Sequence, residues 1–228
     1  MQEVDMEAIS KEWEEVHHDR EWGRYPGEPV IRFVARNFYK CKRDEIKILD
    51  YGCGQGAHTW YLAREGFDTY AFDGSASAVE KAKIYLEKEG VNAKFDVMDG
   101  TAITYQNDFF DGVIDSACVG HNKLDNIEKM YSEIYRVLKD EGKLFTTFFS
   151  TKTSGFGTGE KIEKNTFKNV TEGPLAGLGI VHFWEEDEFI ETLKNVGFTD
   201  IEVEKVSFTN RGSYIDSFIL MAVKGKRA

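Results

Sequence analysis

The fold of this 228-residue chain is decided by residues 46–56, which read Ile46-Lys47-Ile48-Leu49-Asp50-Tyr51-Gly52-Cys53-Gly54-Gln55-Gly56. The apolar half of this stretch has the length and composition of a buried β-strand. Three glycines then alternate with other residues, and residues 57–65 have the pattern of a helix. Glycine accepts a positive φ and, because it lacks Cβ, lets the backbone approach a ligand closely. The stretch therefore predicts a strand, a tight ligand-binding turn and a helix N-terminus.

A second predicted strand ends in a carboxylate. Residues 69–72 are an apolar run, and Asp73 follows them, seventeen residues after Gly56. An acid at this place can accept hydrogen bonds from the two hydroxyls of a ribose. The order of strand, glycine turn, helix, strand and acid predicts a site for a nucleoside.

Residues 49–56 resemble motif I of the class I S-adenosylmethionine (SAM)-dependent methyltransferases. The resemblance extends over about residues 46–224, and Phe-Asp-Gly-Val at 110–113 is similar to the Phe-Asp-x-Val signature of that family. It implies SAM as the cofactor and an α/β fold with a Rossmann-like, seven-stranded, mostly parallel sheet, a reversed last strand and helices on both faces. The segments 201–205 and 218–223 follow each other without a helix and must pair as an antiparallel hairpin, which fits that sheet.

The resemblance also implies which residues contact the cofactor. Asp73 matches the acid that binds the ribose, and Asp99, with Gly100 beside it, matches the position that contacts the adenine amino group. Ser116 ends the fourth predicted strand, where the substrate meets the methyl group. The predicted core contacts are Asp50, Gly52, Cys53, Gly54, Gly56, Asp73, Gly74, Asp99, Gly100 and Ser116.

Two further cofactor contacts are predicted before the core, at Arg24 and Tyr25. In related small-molecule methyltransferases this segment often reaches the methionine end of SAM, and a guanidinium pairs well with a carboxylate. A plain surface role for Arg24 is the alternative.

The glycine turn by itself leaves other functions open. Gly52, Gly54 and Ala57 also satisfy the dinucleotide fingerprint, and Asp73 would serve the ribose of NAD equally well. Asp50 before the turn favours the methyltransferase, as does the lack of a second mononucleotide-binding half after the fifth strand. Two alternatives to a methyltransferase remain. One is an NAD-dependent oxidoreductase, and the other is a catalytically idle SAM-fold binding protein.

Two histidines are candidates for the catalytic residue. Methyl transfer is an in-line displacement that depends mainly on positioning, but a hydroxyl acceptor must also lose a proton, for which a His with a pKa near neutrality is the usual base. His121 follows the fourth strand and His182 closes an irregular segment. Each has a packed or capping role as its alternative. For His17 and His18, a solvated pair is expected, with at most one side chain reaching the site.

Two segments are predicted to be additions to one methyltransferase domain spanning residues 1–228. Met6, Ile9, Trp13 and Val16 recur at helical spacing, so residues 1–40 are expected to form a helical cap over the site or to pad a sheet edge. Residues 151–183 lose the periodic pattern and are rich in Gly and Thr. Because so long a loop is functional or disordered, a substrate-binding insertion is expected.

Composition narrows the partners. A net charge of −11 disfavours nucleic acid, and three cysteines without ligand spacing indicate neither disulfides nor a metal. No apolar run is long enough to span a membrane and the N-terminus is not signal-like, so a cytoplasmic protein is expected, as a monomer or homodimer.

The acceptor is expected to be a small molecule, since the marks of other subclasses are missing. The fourth strand lacks the Asn/Asp-Pro-Pro-Tyr/Phe motif, and no cysteine follows a proline. Residues 159–184 resemble methyltransferases encoded with bacterial surface-polysaccharide enzymes, which implies a hydroxyl of a sugar or nucleotide sugar. A small-molecule N-methyltransferase is the alternative.

Overall fold

A computed structural model of the chain describes residues 11–226, which form ten strands and six α-helices. The strands are β1 (Lys47–Tyr51), β2 (Asp68–Asp73), β3 (Lys94–Val97), β4 (Phe110–Ser116), β5 (Leu138–Phe149), β6 (Glu160–Glu163), β7 (Thr166–Lys168), β8 (Ile180–His182), β9 (Phe198–Asn210) and β10 (Ser213–Lys224). The helices are α1 (Lys11–Asp19), α2 (Glu28–Phe38), α3 (Ala57–Arg64), α4 (Ala76–Lys88), α5 (Leu124–Val137) and α6 (Glu186–Val196). None of these helices is both long and apolar enough to cross a membrane.

The main sheet has seven strands in the order β3-β2-β1-β4-β5-β10-β9. Strands β1 to β5 run parallel, whereas β10 is antiparallel to both of its neighbours, β5 and β9. The predicted α/β sheet with a reversed last strand is therefore confirmed. The direction of the strand order reverses between β1 and β4, and at such a switch point the carboxyl ends of the strands leave a crevice for ligands.

Helices cover both faces of this sheet because successive strand residues point to opposite sides. In β1, Leu49 packs in one hydrophobic cluster with residues of α5 and α6, whereas Ile48 packs in the other with residues of α2, α3 and α4. Both side chains are fully buried. A parallel sheet covered on both faces requires such unbroken apolar strands.

The segment after β5 is more regular than the sequence predicts. Strands β6, β7 and β8 form a separate antiparallel sheet, with Phe167, Val181 and Phe183 buried beneath it. Each strand has only three or four residues. Periodicity cannot reveal strands this short, since a two-residue repeat needs four to eight residues to be recognised.

The N-terminal segment lies across the carboxyl end of the sheet. The Glu14 carboxylate of α1 accepts hydrogen bonds from the hydroxyls of Ser75 (2.5 Å) and Ser77 at the start of α4. Gln55 of the glycine turn donates to the Arg20 carbonyl (2.7 Å) and accepts from the Trp22 amide (2.9 Å). These bonds hold α1 against the turn. Met6 and Ile9, the other members of the predicted stripe, lie outside the described residues.

Candidate active site

The glycine turn between β1 and α3 has the backbone that its sequence predicts. Gly52, Gly54 and Gly56 have φ values of 68°, 51° and 87°, in the left-handed region. A Cβ placed on Gly52 would lie 2.5 Å from the Cβ of Cys118 and still closer to its Sγ. The turn thus requires glycine for its conformation and also for its packing against the loop after β4.

A cavity of about 410 Å³ opens above this turn. Its volume is within the range of small-molecule sites. We distinguish two parts of its wall. The glycine-turn half consists of Gly52, Cys53, Gly54, Asp73, Gly74 and Ser75, and the aromatic pocket consists of Trp13, Trp22, His121, Asn122, Phe149, Pro174, Leu175 and Leu178.

Eight of the predicted site residues line the cavity and six do not. Those in the lining are Gly52, Cys53, Gly54, Asp73, Gly74, Gly100, Ser116 and His121. Those outside it are Arg24, Tyr25, Asp50, Gly56, Asp99 and His182.

Asp73 is fixed by the backbone on both sides. Its Oδ2 accepts from the Gly54 amide (2.8 Å) and its Oδ1 from the Ser75 amide (2.9 Å). Burial raises the pKa of this carboxyl, while the two amides and the nearby His17 oppose the rise. A carboxylate has about four lone-pair positions, so each oxygen can accept a further bond. The carboxylate is thus oriented to receive two neighbouring hydroxyls.

Asp50, Asp99 and Gly56 support the site from outside the cavity lining. Asp50 is buried, and its Oδ2 accepts from the Thr59 hydroxyl (2.5 Å) in the first turn of α3. Asp99 accepts from the amide (2.8 Å) and hydroxyl (2.7 Å) of Thr101. Gly56 is the left-handed N-cap of α3. Contact of these residues with a cofactor stays a prediction.

Arg24 and Tyr25 lie on the outside of the N-terminal segment. The Arg24 guanidinium lies 5.7 Å from the centre of the Tyr85 ring, and Tyr25 is 78% exposed, with its ring edge-on to Trp60. The structure therefore does not bring these two predicted residues together with Asp73.

His121 is a neutral imidazole in the wall of the aromatic pocket. Its Nδ1 lies 3.0 Å from the Ile180 carbonyl oxygen, which can only accept, so Nδ1 carries the hydrogen and Nε2 the lone pair. Burial lowers the pKa of His121 to about 4, although backbone carbonyls of the insertion oppose the shift. The near-neutral pKa expected of a base is not found here.

His182 lies in β8, away from the cavity wall. Its side chain is fully buried, with Nδ1 2.8 Å from the Thr166 hydroxyl and the ring against Trp184. Burial lowers its pKa to about 4 as well. Its backbone amide donates to the Gly120 carbonyl (2.8 Å), which ties β8 to the loop that carries His121.

The solvated pair expected for His17 and His18 is not found, and one of the two side chains reaches the site. His17 is 4% exposed and lines the cavity beside Gly54, whereas its neighbour His18 is exposed and pairs with Asp19. Burial lowers the pKa of His17. The spacing in the sequence could have indicated this position, because Trp13 and His17 are four residues apart and therefore share one helix face. His58, at the start of α3, was also missed and lines the cavity.

The cavity wall carries little charge. Asp73 is the sole acidic side chain among the described residues that line it, and neither Lys nor Arg is among them. Burial lowers the pKa of His17, His58 and His121, which favours their neutral forms. No cluster of three or more potential metal-ligating acids, cysteines or histidines occurs within residues 11–226.

Residues 48–142 match the family model of a methyltransferase domain. Among curated proteins, sterol 24-C-methyltransferase of Clavispora lusitaniae is 29% identical over 191 residues, which is 79% of this chain and 48% of the relative. The sterol 24-C-methyltransferase of Saccharomyces cerevisiae is 28% identical over 187 residues, which is 76% of this chain and 46% of the relative. The chain thus spans about half the length of these relatives.

Solved structures share the fold. A SAM-dependent methyltransferase from Methanosarcina mazei superposes with a TM-score of 0.72 at 22% identity, covering 88% of this chain and 99% of that one. The 1,6-didemethyltoxoflavin-N1-methyltransferase of Burkholderia thailandensis, with bound S-adenosylhomocysteine, superposes with a TM-score of 0.66 at 18% identity. The match covers 87% of this chain and 78% of that one. Phosphoethanolamine N-methyltransferase 2 of Haemonchus contortus, in complex with SAM, superposes with a TM-score of 0.67 at 20% identity. The match covers 94% of this chain and 56% of that one.

Proposed function

We propose that the chain is a class I SAM-dependent methyltransferase, as the match of residues 48–142 to a methyltransferase-domain model indicates, and that it transfers the methyl group of SAM to a small-molecule acceptor. The observation that carries this proposal is the cavity itself. It joins the glycine turn and the anchored Asp73 to the aromatic pocket within one continuous cavity. The relatives support the choice of SAM over NAD, since their names describe methyl transfer.

The residues of the cavity fit SAM. Asp73 can receive the ribose hydroxyls, because each of its oxygens is held by one backbone amide. Met98, Gly100 and Met130 line an apolar part of the cavity that suits an adenine ring. The N-cap residue of α3, Gly56, has no side chain, so the first-turn amides other than that of Thr59, which donates to Asp50, can bind a carboxylate. When bound, SAM supplies an electrophilic methyl group on a sulfonium.

We infer that His121 positions the acceptor by a hydrogen bond to Nε2. The lone pair of a neutral imidazole can accept the proton of a hydroxyl and thereby orient its oxygen. With a pKa of about 4, His121 is a weak base. A weak base suffices for this step, because an oxygen that gains a methyl group while still protonated is strongly acidic. A hydroxyl acceptor therefore stays our prediction, and an uncharged amine, which needs no strong base either, is the alternative.

We also propose that the two added segments build the acceptor side of the site. Residues 1–40 contribute Trp13 and Trp22 to the aromatic pocket, and residues 151–183 contribute Pro174, Leu175 and Leu178. His182, which lies outside the pocket, would serve the insertion by fixing its fold against the His121 loop.

Ligand binding tests the proposal directly. S-adenosylhomocysteine at 100 times its dissociation constant should stabilise the protein by about 2.7 kcal/mol, and NAD at the same concentration should not. Thermal unfolding and calorimetric titration measure both. Transfer of a labelled methyl group to candidate acceptors, followed by mass spectrometry, then tests turnover. Stabilisation by NAD without any by S-adenosylhomocysteine would overturn the proposal.

A further inference from the structure

The aromatic pocket has a composition that restricts what can bind there. Its apolar wall combines side chains from three parts of the chain, namely Trp13, Trp22, Phe149, Pro174, Leu175 and Leu178. The Trp13 ring lies edge-on to His121, with their centroids 4.7 Å apart. Leu175 and Leu178 are almost completely buried. Such a wall favours contact with an apolar face of a ligand, and aromatic side chains favour a flat one.

The described residues of the aromatic pocket offer no side chain of opposite charge to either an anionic or a cationic acceptor. The described residues that line the cavity include no Lys or Arg, and burial favours the neutral form of His121, the histidine of this pocket. An anion would therefore be desolvated without a partner, which costs several kcal/mol. A cation would face the positive sulfonium at a short distance. Lys168, which is not among the lining residues, pairs with Glu12 of α1 (3.6 Å).

We propose that the acceptor is an uncharged molecule with a flat apolar ring held against Trp13 and with its reacting polar group at His121. This inference rests on the proposed function and narrows its substrate class. Trp13 is then a specificity-determining residue, and it reaches the pocket because Glu14, the next residue, holds α1 on Ser75 and Ser77. Phosphorylated acceptors, including nucleotide sugars that place a phosphate in the pocket, are excluded by the same argument.

A matched pair of probes tests the charge requirement. The full chain, saturated with S-adenosylhomocysteine, is titrated calorimetrically with 2-naphthol and with 2-naphthyl phosphate, which share one ring system and differ in charge. We expect 2-naphthol to bind at least tenfold more tightly. Equal or tighter binding of the phosphate overturns the inference, and so does a failure of 2-naphthol to bind the loaded protein.

Two variants test the residues. Trp13→Ala should weaken 2-naphthol binding at least tenfold and leave the dissociation constant of S-adenosylhomocysteine within about threefold. Pro174→Lys places a cation at an exposed position of the pocket wall and should improve 2-naphthyl phosphate binding at least tenfold. Ile84→Ala, on the exposed side of α4, is the control and should change the binding of neither 2-naphthol nor 2-naphthyl phosphate. Unchanged probe binding in both pocket variants, with their folds intact by circular dichroism, overturns the role of Trp13 and the charge argument.

The outcomes separate the two levels of the proposal. If S-adenosylhomocysteine does not bind, the proposed function fails. If S-adenosylhomocysteine binds and the phosphate binds as tightly as 2-naphthol, the function stands and the acceptor class alone is wrong.

Discussion

The glycine-turn half of the cavity is built by neighbouring strand ends, whereas the aromatic pocket is built by segments far apart in the sequence. In the first, backbone amides and one carboxylate are held by bonds within residues 52–75. In the second, Trp13 packs edge-on against His121, and Leu178 of the insertion lines the same pocket. Half of the site is therefore polar and locally determined, while the other half is apolar and depends on how three segments pack. The two halves should respond differently to substitution.

The largest effect is expected from His121 in the aromatic pocket. If a hydroxyl is the acceptor, His121→Ala should lower kcat by about 10²-fold or more, because a positioned proton acceptor contributes about 10²- to 10⁴-fold. His182→Ala should leave kcat nearly unchanged and lower only the stability, since His182 packs on Trp184 outside the cavity. Steady-state kinetics with the identified acceptor measures both. A kcat that falls equally in the two variants would contradict the separation.

The pH profile sharpens this prediction. Because burial lowers the pKa of His121 to about 4, its Nε2 keeps the lone pair at all higher pH values. The kcat should therefore be independent of pH from about 6 to 8 as far as this group is concerned and fall only as the pH approaches 4. A loss of activity centred between pH 6 and 7 that disappears in His121→Ala would instead indicate a histidine with an ordinary pKa.

The next effect concerns the glycine turn. Gly52→Ala forces a left-handed Ala and a Cβ into Cys118, so we expect the free energy of unfolding to fall by about 2–5 kcal/mol. Gly66→Ala is the matched control: it has a φ of 86° but open space around it, and should lose only about 1–2 kcal/mol. Urea unfolding measures both. Equal losses would mean that strain alone, and not contact with Cys118, requires glycine at position 52.

A smaller effect is expected from Asp73→Ala, which should weaken S-adenosylhomocysteine binding at least tenfold. Hydrogen bonds to a charged group are worth about 1.5–3 kcal/mol each, and tenfold corresponds to about 1.4 kcal/mol. Asp68→Ala, at the other end of β2, removes an exposed ion pair with Lys94 and should leave the affinity unchanged. Calorimetric titration compares the two. If Asp73→Ala binds as tightly as the wild type, the ribose lies elsewhere.

The smallest effect tests the boundary between the halves. His17→Ala should weaken S-adenosylhomocysteine binding by a few-fold, because the ring lines the cavity beside Gly54 and packs on Trp13. His18→Ala, its exposed neighbour, should have no effect. The same titration applies. Loss of affinity in His18→Ala, or none in His17→Ala, would show that α1 does not take part in the glycine-turn half.

The parts of this protein that could be predicted from the amino-acid sequence depend on residues that are close together along the chain. The strand, turn and helix at residues 46–65 follow from an apolar run, three glycines and a helical pattern. Asp73 follows from the end of the next strand, and the reversed last strand follows from two consecutive strands without a helix. In each case the structure is fixed by periodicity and backbone geometry within about twenty residues, which the sequence displays directly.

Which side chains meet in the aromatic pocket depends on the packing of the folded chain and could not be predicted from the sequence. Of two adjacent histidines, His17 faces the cavity and His18 faces the solvent; of two strand-end histidines, His121 lines the pocket and His182 is buried in the insertion. The pKa of His121 also depends on burial, and His121 contacts Trp13 of α1 and the Ile180 carbonyl of the insertion. Composition and spacing cannot reveal these outcomes, because they are set by packing between segments that are distant in the sequence.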